Sequence, residues 1–150
     1  MQAEVVHKDT MTLIGAVSYG GSICDLWNRF SAEEAKVENK IDGAWYEYHV
    51  YPQAAQTGEP CYFAGVEVSD LATMPDGMFA KILPAGEWAV FTHCLGDGGY
   101  DVLNKSIRDW LDREPYKQVD ACSLQIYDAR YKGHENPESI LQLLIRVQPK

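Results

Sequence analysis

Residues Met11 to Phe30 read MTLIGAVSYGGSICDLWNRF, and the change of periodicity inside this stretch decides the fold class. Met11 to Tyr19 is apolar and rich in β-prone side chains, which predicts a strand. Tyr19-Gly20-Gly21-Ser22 follows, with two residues that tolerate positive φ and a hydroxyl suited to an N-cap, so a helix is expected to begin there. Ile23, Leu26, Trp27 and Phe30 then recur at i, i+3, i+4 and i+7, placing four large side chains on one helical face that reads as core. Ser31-Ala32-Glu33-Glu34 has the form of a capping box for a short second helix, and Asp42-Gly43 that of a turn.

Two aromatic-rich, β-prone stretches come next, Ala44 to Tyr51 and Pro60 to Val68, and they read as antiparallel neighbours joined by a polar connection. Pro75-Asp76-Gly77 is a strong turn signal and marks the boundary between two halves. Beyond it the order repeats. Met78 to Leu95 reads as one strand bent at Pro84-Ala85-Gly86, and Gly96-Asp97-Gly98-Gly99 as a second glycine-rich turn. Leu103, Ile107, Trp110 and Leu111 give a helical apolar face that stops at Glu114-Pro115, and strands are expected at Ala121 to Tyr131 and Ser139 to Val147. Gly20 aligns with Gly96 and Leu26-Trp27 with Val102-Leu103, so the halves, about 1–74 and 75–150, read as diverged copies of one strand-helix-strand-strand motif. The expected fold is a single α+β domain over 1–150, pseudo-twofold, with antiparallel sheets around a central ligand cleft and helices packed on the opposite faces.

A chain of 150 residues is long enough to bury a core of its own, and 46% hydrophobic with 23% charged residues fits a folded globular protein. The formal net charge of -9 opposes nucleic-acid binding, and the Lys105, Arg108 and Arg113 group sits among Asp109, Asp112 and Glu114 as a solvated helix face. No apolar run is long enough to span a membrane and no secretory leader pattern opens the chain, so a cytoplasmic location without membrane contact is expected. Cys24, Cys61, Cys94 and Cys122 form no C-x-x-C pair and read as buried reduced thiols. His7, His49, His93 and His134 show no metal-ligand spacing, and neither a metal nor a cofactor is implied.

Strand alternation sorts side chains onto faces. Leu124 and Ile126 are expected to face the helices, as are Tyr62, Ala64, Val66 and Val68, and the row Leu141, Leu143, Ile145 and Val147. Phe63 and Glu67 would then face the cleft, together with Trp45, Glu47, His49, Gln125 and Tyr127. Aromatic rings beside carboxylates attract delocalised cations, so this surface suits a small lipophilic cationic ligand.

Three stretches resemble the GyrI-like, or bacterial transcription activator effector-binding, family: Tyr62-Phe63-Ala64-Gly65-Val66-Glu67-Val68; Leu83-Pro84-Ala85-Gly86-Glu87-Trp88-Ala89-Val90-Phe91-Thr92-His93; and Trp110-Leu111 followed by Leu124-Gln125-Ile126-Tyr127-Asp128. They are similar to the family's "Y-x-x-G-V-E-V", "P-A-G-x-Y-A-V-F-x-H" and "W-L … F-E-x-Y-D" patterns. The resemblance implies the duplicated fold and a pocket for lipophilic cations built from stacked aromatics and a buried glutamate. It adds Tyr19, Tyr100 and Trp88 as pocket-wall positions. The glutamate of "F-E-x-Y" corresponds to Gln125 here, which transfers the counter-charge to Glu47 or Glu67. No segment is left for a helix-turn-helix, so the chain resembles the stand-alone members of integron-cassette type, with a transcription regulator or other protein as a partner at most and its oligomeric state open. Two alternatives follow from the same family: hydrolysis of strained cyclopropane-type toxins with Glu47 or Glu67 as general base, for which no acid partner is identifiable, and an acidic, gyrase-inhibitor-like protein-interaction module. No residue is assigned a catalytic role.

Overall fold

The computed structural model describes residues 3–41, 43–51 and 58–150; Asp42 of the expected Asp42-Gly43 turn and the connection at 52–57 lie outside them. The elements in chain order are β1 (Ala3–Lys8), β2 (Met11–Tyr19), α1 (Ile23–Glu33), β3 (Trp45–Val50), β4 (Cys61–Glu67), β5 (Phe79–Leu83), β6 (Gly86–Cys94), α2 (Tyr100–Arg113), β7 (Tyr116–Gln118), β8 (Cys122–Tyr127) and β9 (Ile140–Pro149). The strands form one antiparallel sheet in the order β1-β6-β9-β8-β3-β4-β2-β5, with β7 paired to the end of β9. Among the described residues, no helix is long and apolar enough to cross a membrane.

Read outward from the central pair β8–β3, the order is β9-β6-β1 on one side and β4-β2-β5 on the other. Each half is therefore the expected strand-helix-strand-strand unit, β2-α1-β3-β4 and β6-α2-β8-β9, and the two join edge to edge. The outermost strands are exchanged. β1 precedes β2 in the chain but pairs with β6, while β5 precedes β6 but pairs with β2. The segment from Met78 to Leu95 is thus two strands at distant places in the sheet, not one bent strand. Pro84 has no N–H to carry a ladder across the break.

This exchange sets the curvature. β1 and β2 are joined through residues 9 and 10 alone, and β5 and β6 through 84 and 85. A chain rising at most 3.8 Å per Cα step holds the ends of such a link within about 11 Å. Strands from opposite ends of the sheet are forced together, and the sheet curls on itself. Its inner face is filled by Leu13, Tyr48, Phe63, Trp88, Leu124, Ile126 and Leu144, all buried. Leu124 and Ile126 therefore point into the curl and not toward the helices as expected: Leu124 pairs with Leu144, on the face opposite the row of Leu143 and Ile145.

The helices cover the outer face. Leu26 and Phe30 of α1 pack on Ile14 and Ala16 of β2 and on Ala64 and Val66 of β4. Leu103, Ile107 and Trp110 of α2 pack on Ala89 and Phe91 of β6 and on Leu141 and Leu143 of β9. With both faces of β2 buried, its near-continuous apolar run is explained. α1 starts where Gly20 and Gly21 take φ of +73° and +78° and the Ser22 side chain accepts from the Asp25 N–H. Ser31 to Glu33 continue α1, which tightens into a 3-10 turn at Glu34–Lys36, so the expected capping box starts no second helix. All four cysteines are free. Cys24 stands on the solvent side of α1, contrary to the expected burial, because it falls off the Leu26–Phe30 stripe; the other three are half-buried.

Gly15 and Gly65 face each other across β2 and β4. A Cβ on Gly15 would overlap the Ala64 carbonyl, and one on Gly65 would overlap the Ile14 carbonyl and approach the Phe63 ring. The strands come this close only because both positions lack a side chain. Gly65→Ala is expected to destabilise the protein by about 1–3 kcal/mol, as overpacking does. Thermal unfolding should then show a Tm lower by roughly 4–10 °C; an unchanged Tm would mean that the contact relaxes freely.

Candidate functional site

α1 lies over β2 and β4 and α2 over β6 and β9, so the central pair β3–β8 runs between the two helices on the outer face. Register places Trp45 opposite Tyr127, Glu47 opposite Gln125 and His49 opposite Ser123. Opposed residues share a face, and Tyr127 belongs to the helix-side core. The row that holds Glu47 thus lies on the side that carries the helices, and not on the opposite face, where the cleft was expected.

At its centre is the Glu47 carboxylate, with the residue 4% exposed. Its Oε1 accepts from the Trp27 indole N–H of α1 at 2.6 Å. Its Oε2 lies 2.6 Å from His49 Nε2 and 3.4 Å from the Tyr127 hydroxyl. Tyr127 donates more closely to Gln125 Oε1, at 2.6 Å, and Tyr100 at the head of α2 donates to the same oxygen at 3.1 Å. His49 Nδ1 reaches the Tyr51 hydroxyl at 2.8 Å, and its ring meets Tyr62 of β4 edge-on at 4.8 Å between centroids. Trp27 is packed edge-to-face on Tyr127 and touches both helix-side cores, closing the seam between them. Ser123 Oγ, buried opposite His49, has no hydrogen-bond partner among the described residues.

Electrostatics follow from burial. The Tyr127 phenol is held far above the usual tyrosine range by its burial first, and then by the Glu47 charge and by Tyr100. Tyr100, Tyr51 and Tyr131 are raised chiefly by burial as well, with Glu47 adding to each. These hydroxyls therefore act as neutral donors around one carboxylate. Each Glu47 oxygen has one close partner, the Trp27 indole on Oε1 and His49 on Oε2, while the single Tyr127 hydrogen goes to Gln125 and its 3.4 Å approach to Oε2 is a secondary contact.

The residues singled out from sequence divide into two groups. Glu47, Gln125, Tyr127 and Tyr100 converge. Trp45 shares their face but turns its indole N–H to Glu34 at 2.8 Å, in a separate shallow depression of about 210 Å³ beside Lys40 and Val66. Tyr19 is 78% exposed at the end of β2. Phe63 and Trp88 are buried inside the curl, with Arg146 over the Trp88 ring. Glu67 pairs with Leu13 on that inner face, 3.5 Å from the Tyr46 hydroxyl, which its charge and the burial push up to about 12. Glu47 and Glu67 thus lie on opposite faces of the sheet. The parity of β3 relative to β4 was assigned wrongly, because both faces are apolar-lined and only the register settles it.

Trp27, Tyr51 and Tyr131 are members that sequence reasoning left out of the site, and His49, placed on the cleft face, was given no role there. Trp27 fell within an apolar helical stripe and was read as core, although a half-buried indole N–H demands a partner. His49 and Tyr51 have the same strand parity as Glu47, which was signal enough. Tyr131 closed the expected strand Ala121 to Tyr131 with the parity of Tyr127, but β8 ends at Tyr127 and Tyr131 follows in a turn, edge-on to Tyr127 at 4.7 Å.

A phenol whose folded-state titration is raised contributes stability that is complete below its unfolded value of 10.0 and is lost as pH rises above it. Wild-type stability in denaturant should therefore decline above pH 10.0. In Tyr127→Phe that decline is expected to be shallower, by up to about 1.4 kcal/mol per pH unit. Equal slopes in the two proteins would show that Tyr127 ionises freely in the native state.

The GyrI-like small molecule binding domain matches residues 4–148, and the chain belongs to that family. It is 29% identical over 156 residues to the transcriptional regulator BrlR of Pseudomonas aeruginosa, a match that takes in 98% of this chain and 56% of BrlR, so it spans little more than half of that relative. Among solved structures, SAV2435 bound to tetraphenylphosphonium is similar with a TM-score of 0.72 at 15% identity, covering 99% of this chain and 94% of the other. The integron cassette protein VCH_CASS2 from Vibrio cholerae is similar with a TM-score of 0.65 at 13% identity, covering 97% and 95%. At such identities the two structures share the fold.

Proposed function

We propose that this chain captures a lipophilic aromatic cation over the central strand pair, with Glu47 as the ligand's counter-charge. The observation that carries the reading is a carboxylate buried at the seam of the two halves, with Trp27 and Tyr127 against it, Tyr100 beyond Gln125 and Tyr62 beyond His49. Among the described residues no Lys or Arg lies within 4.0 Å of it. A cation gains there from the full charge and from the quadrupoles of the surrounding rings, in a setting where little water competes. The tetraphenylphosphonium bound by SAV2435 is a ligand of this chemical class, on the same fold.

The sequence left Glu47 and Glu67 as equal candidates; position favours Glu47, on the pseudo-twofold seam opposite Gln125. Gln125 contributes an acceptor and no charge. Tyr100 is 46% exposed and Trp27 partly so, which makes them the gate: a ligand reaches Glu47 by displacing the Trp27 indole from its seat between the two cores. Ser123 Oγ is a further polar atom free to meet it. Hydrolysis with Glu47 as general base is less favoured, since Trp27 already holds Oε1 and His49 holds Oε2, each at 2.6 Å, which leaves little to orient a water. Within a longer regulator of the BrlR kind, such a site would serve as the sensing unit.

Titration with tetraphenylphosphonium, followed by tryptophan fluorescence, against the near-isosteric anion tetraphenylborate tests this. Wild type should bind the cation saturably at micromolar concentration and ignore the anion. Glu47→Gln should weaken binding at least about tenfold, on the order of 1.4 kcal/mol or more, and Glu67→Gln should leave it unchanged. Equal affinity for both ions, or loss on Glu67→Gln alone, would sink the assignment. Affinity that collapses with moderate salt would point instead to an acidic surface and a protein partner.

A further inference from the structure

We propose that protonated His49 is the resident counter-cation of Glu47 in the ligand-free site, and that an incoming lipophilic cation takes its place and expels the imidazole proton to solvent through Tyr51. The proposal rests on the reading of Glu47 as the ligand's counter-charge, and adds to it a competitor and an exit.

The geometry has three parts. First, the Trp27 indole satisfies Glu47 as a neutral donor, whereas His49, at 2.6 Å and itself 5% exposed, is the one basic side chain within 4.0 Å of the carboxylate among the described residues. A carboxylate in a dry seam is costly without a positive partner, and His49 is placed to be that partner. Second, with the Nε2 hydrogen pointing at Glu47, the 2.8 Å contact between Nδ1 and the Tyr51 hydroxyl serves both protonation states. The imidazolium donates to the phenol oxygen; the neutral ring accepts the phenol hydrogen. The proton can leave with no heavy atom displaced. Third, Tyr51 is 44% exposed and so joins the buried pair to water. Burial holds its phenol above the ordinary tyrosine range, so it relays a proton and does not keep the charge.

The surroundings add no competing charge. Against the imidazole lie Tyr62 from β4 and Ser123 from β8, and against Glu47 lie Trp27 from α1 and Tyr127 from β8. Tyr100 from α2 reaches Gln125. Glu47 is the sole formal charge among these groups. The exchange balances: a carboxylate and an imidazolium with the cation in water become a carboxylate and the cation with a neutral imidazole, and one proton passes to water. The site is neutral at both ends of the exchange. A neutral aromatic of the same shape does not displace the imidazolium, which gives a physical basis for choosing cations.

Calorimetric titration with tetraphenylphosphonium at pH values across about 5 to 8, the range in which histidine charge changes, in two buffers of different ionisation enthalpy, measures proton release directly. Wild type should release up to about one proton per cation, read from the difference in heat between the two buffers. Its affinity should fall by up to about tenfold per pH unit on acidification. His49→Gln, which can still donate to Glu47 but carries no charge, should bind with no release and no pH dependence. Nitrogen NMR of wild type should show both His49 ring nitrogens protonated in the ligand-free protein at the acid end, and loss of the Nδ1 proton on saturation. Cation binding without proton release, or release that persists in His49→Gln, overturns the exchange and leaves the cation site standing. Absence of binding in both proteins at every pH overturns both.

Discussion

A carboxylate at the centre of a sheet, away from water, has to be surrounded by donors, and the donors have to come from somewhere in the fold. Here the surroundings come from both halves: the Trp27 indole from α1 and His49 from the carboxylate's own strand in the first, and from the second the Tyr127 hydroxyl of β8, held on Gln125 at the edge of the carboxylate. The seam between the two repeats is thus fixed by the needs of one side chain as well as by apolar packing. Pseudo-symmetry makes this possible and the sequence then breaks it. Opposite positions in the register hold Glu47 on one strand and Gln125 on the other, so the site has one charge on its axis where an exact duplicate would have two repelling ones or none.

The inner face of the sheet plays the opposite part. Its apolar filling, with Trp88 and Phe63 at the heart, is what allows the outer face to hold a polar cluster without loss of the fold. Aromatic side chains in this chain therefore serve two purposes that composition cannot separate. Phe63 and Trp88 stabilise the curl, while Trp27, Tyr100 and Tyr127 line the seam.

The sequence made the repeat legible because glycine-rich turns punctuate both halves at matching places, Gly20-Gly21 before α1 and Gly98-Gly99 before α2, and because apolar stripes at helical spacing follow each. The edge strands were harder. β1 alternates weakly and β7 is three residues long, so neither carries a periodic signal that competes with a loop. The site was half legible. Parity along β3 and β8 grouped Trp45, Glu47 and His49 in one row and Ser123, Gln125 and Tyr127 in another, and those two rows do meet. Parity failed between β3 and β4, since relating two strands needs their register, and a sheet buried on both faces offers no polar side to calibrate it. It also could not say which face the helices take, because Leu124 and Ile126 inside the curl look the same in sequence as residues beneath a helix.

The exchange of β1 and β5 has a consequence of its own. Each half supplies the outermost strand of the other, in the manner of two hands clasped by their last fingers, so the pairings that complete either half join Ala3 to Phe91 and Met11 to Leu83, far apart along the chain. Closing such long loops is slow, and the folding barrier is expected to be crossed by the two repeats together. A chain emerging from synthesis holds β2, α1, β3 and β4 well before β8 arrives to complete the seam. Glu47 meets Tyr127 and Gln125 only once β8 has joined β3, so the buried charge at the axis is completed late, by a strand made long after its own.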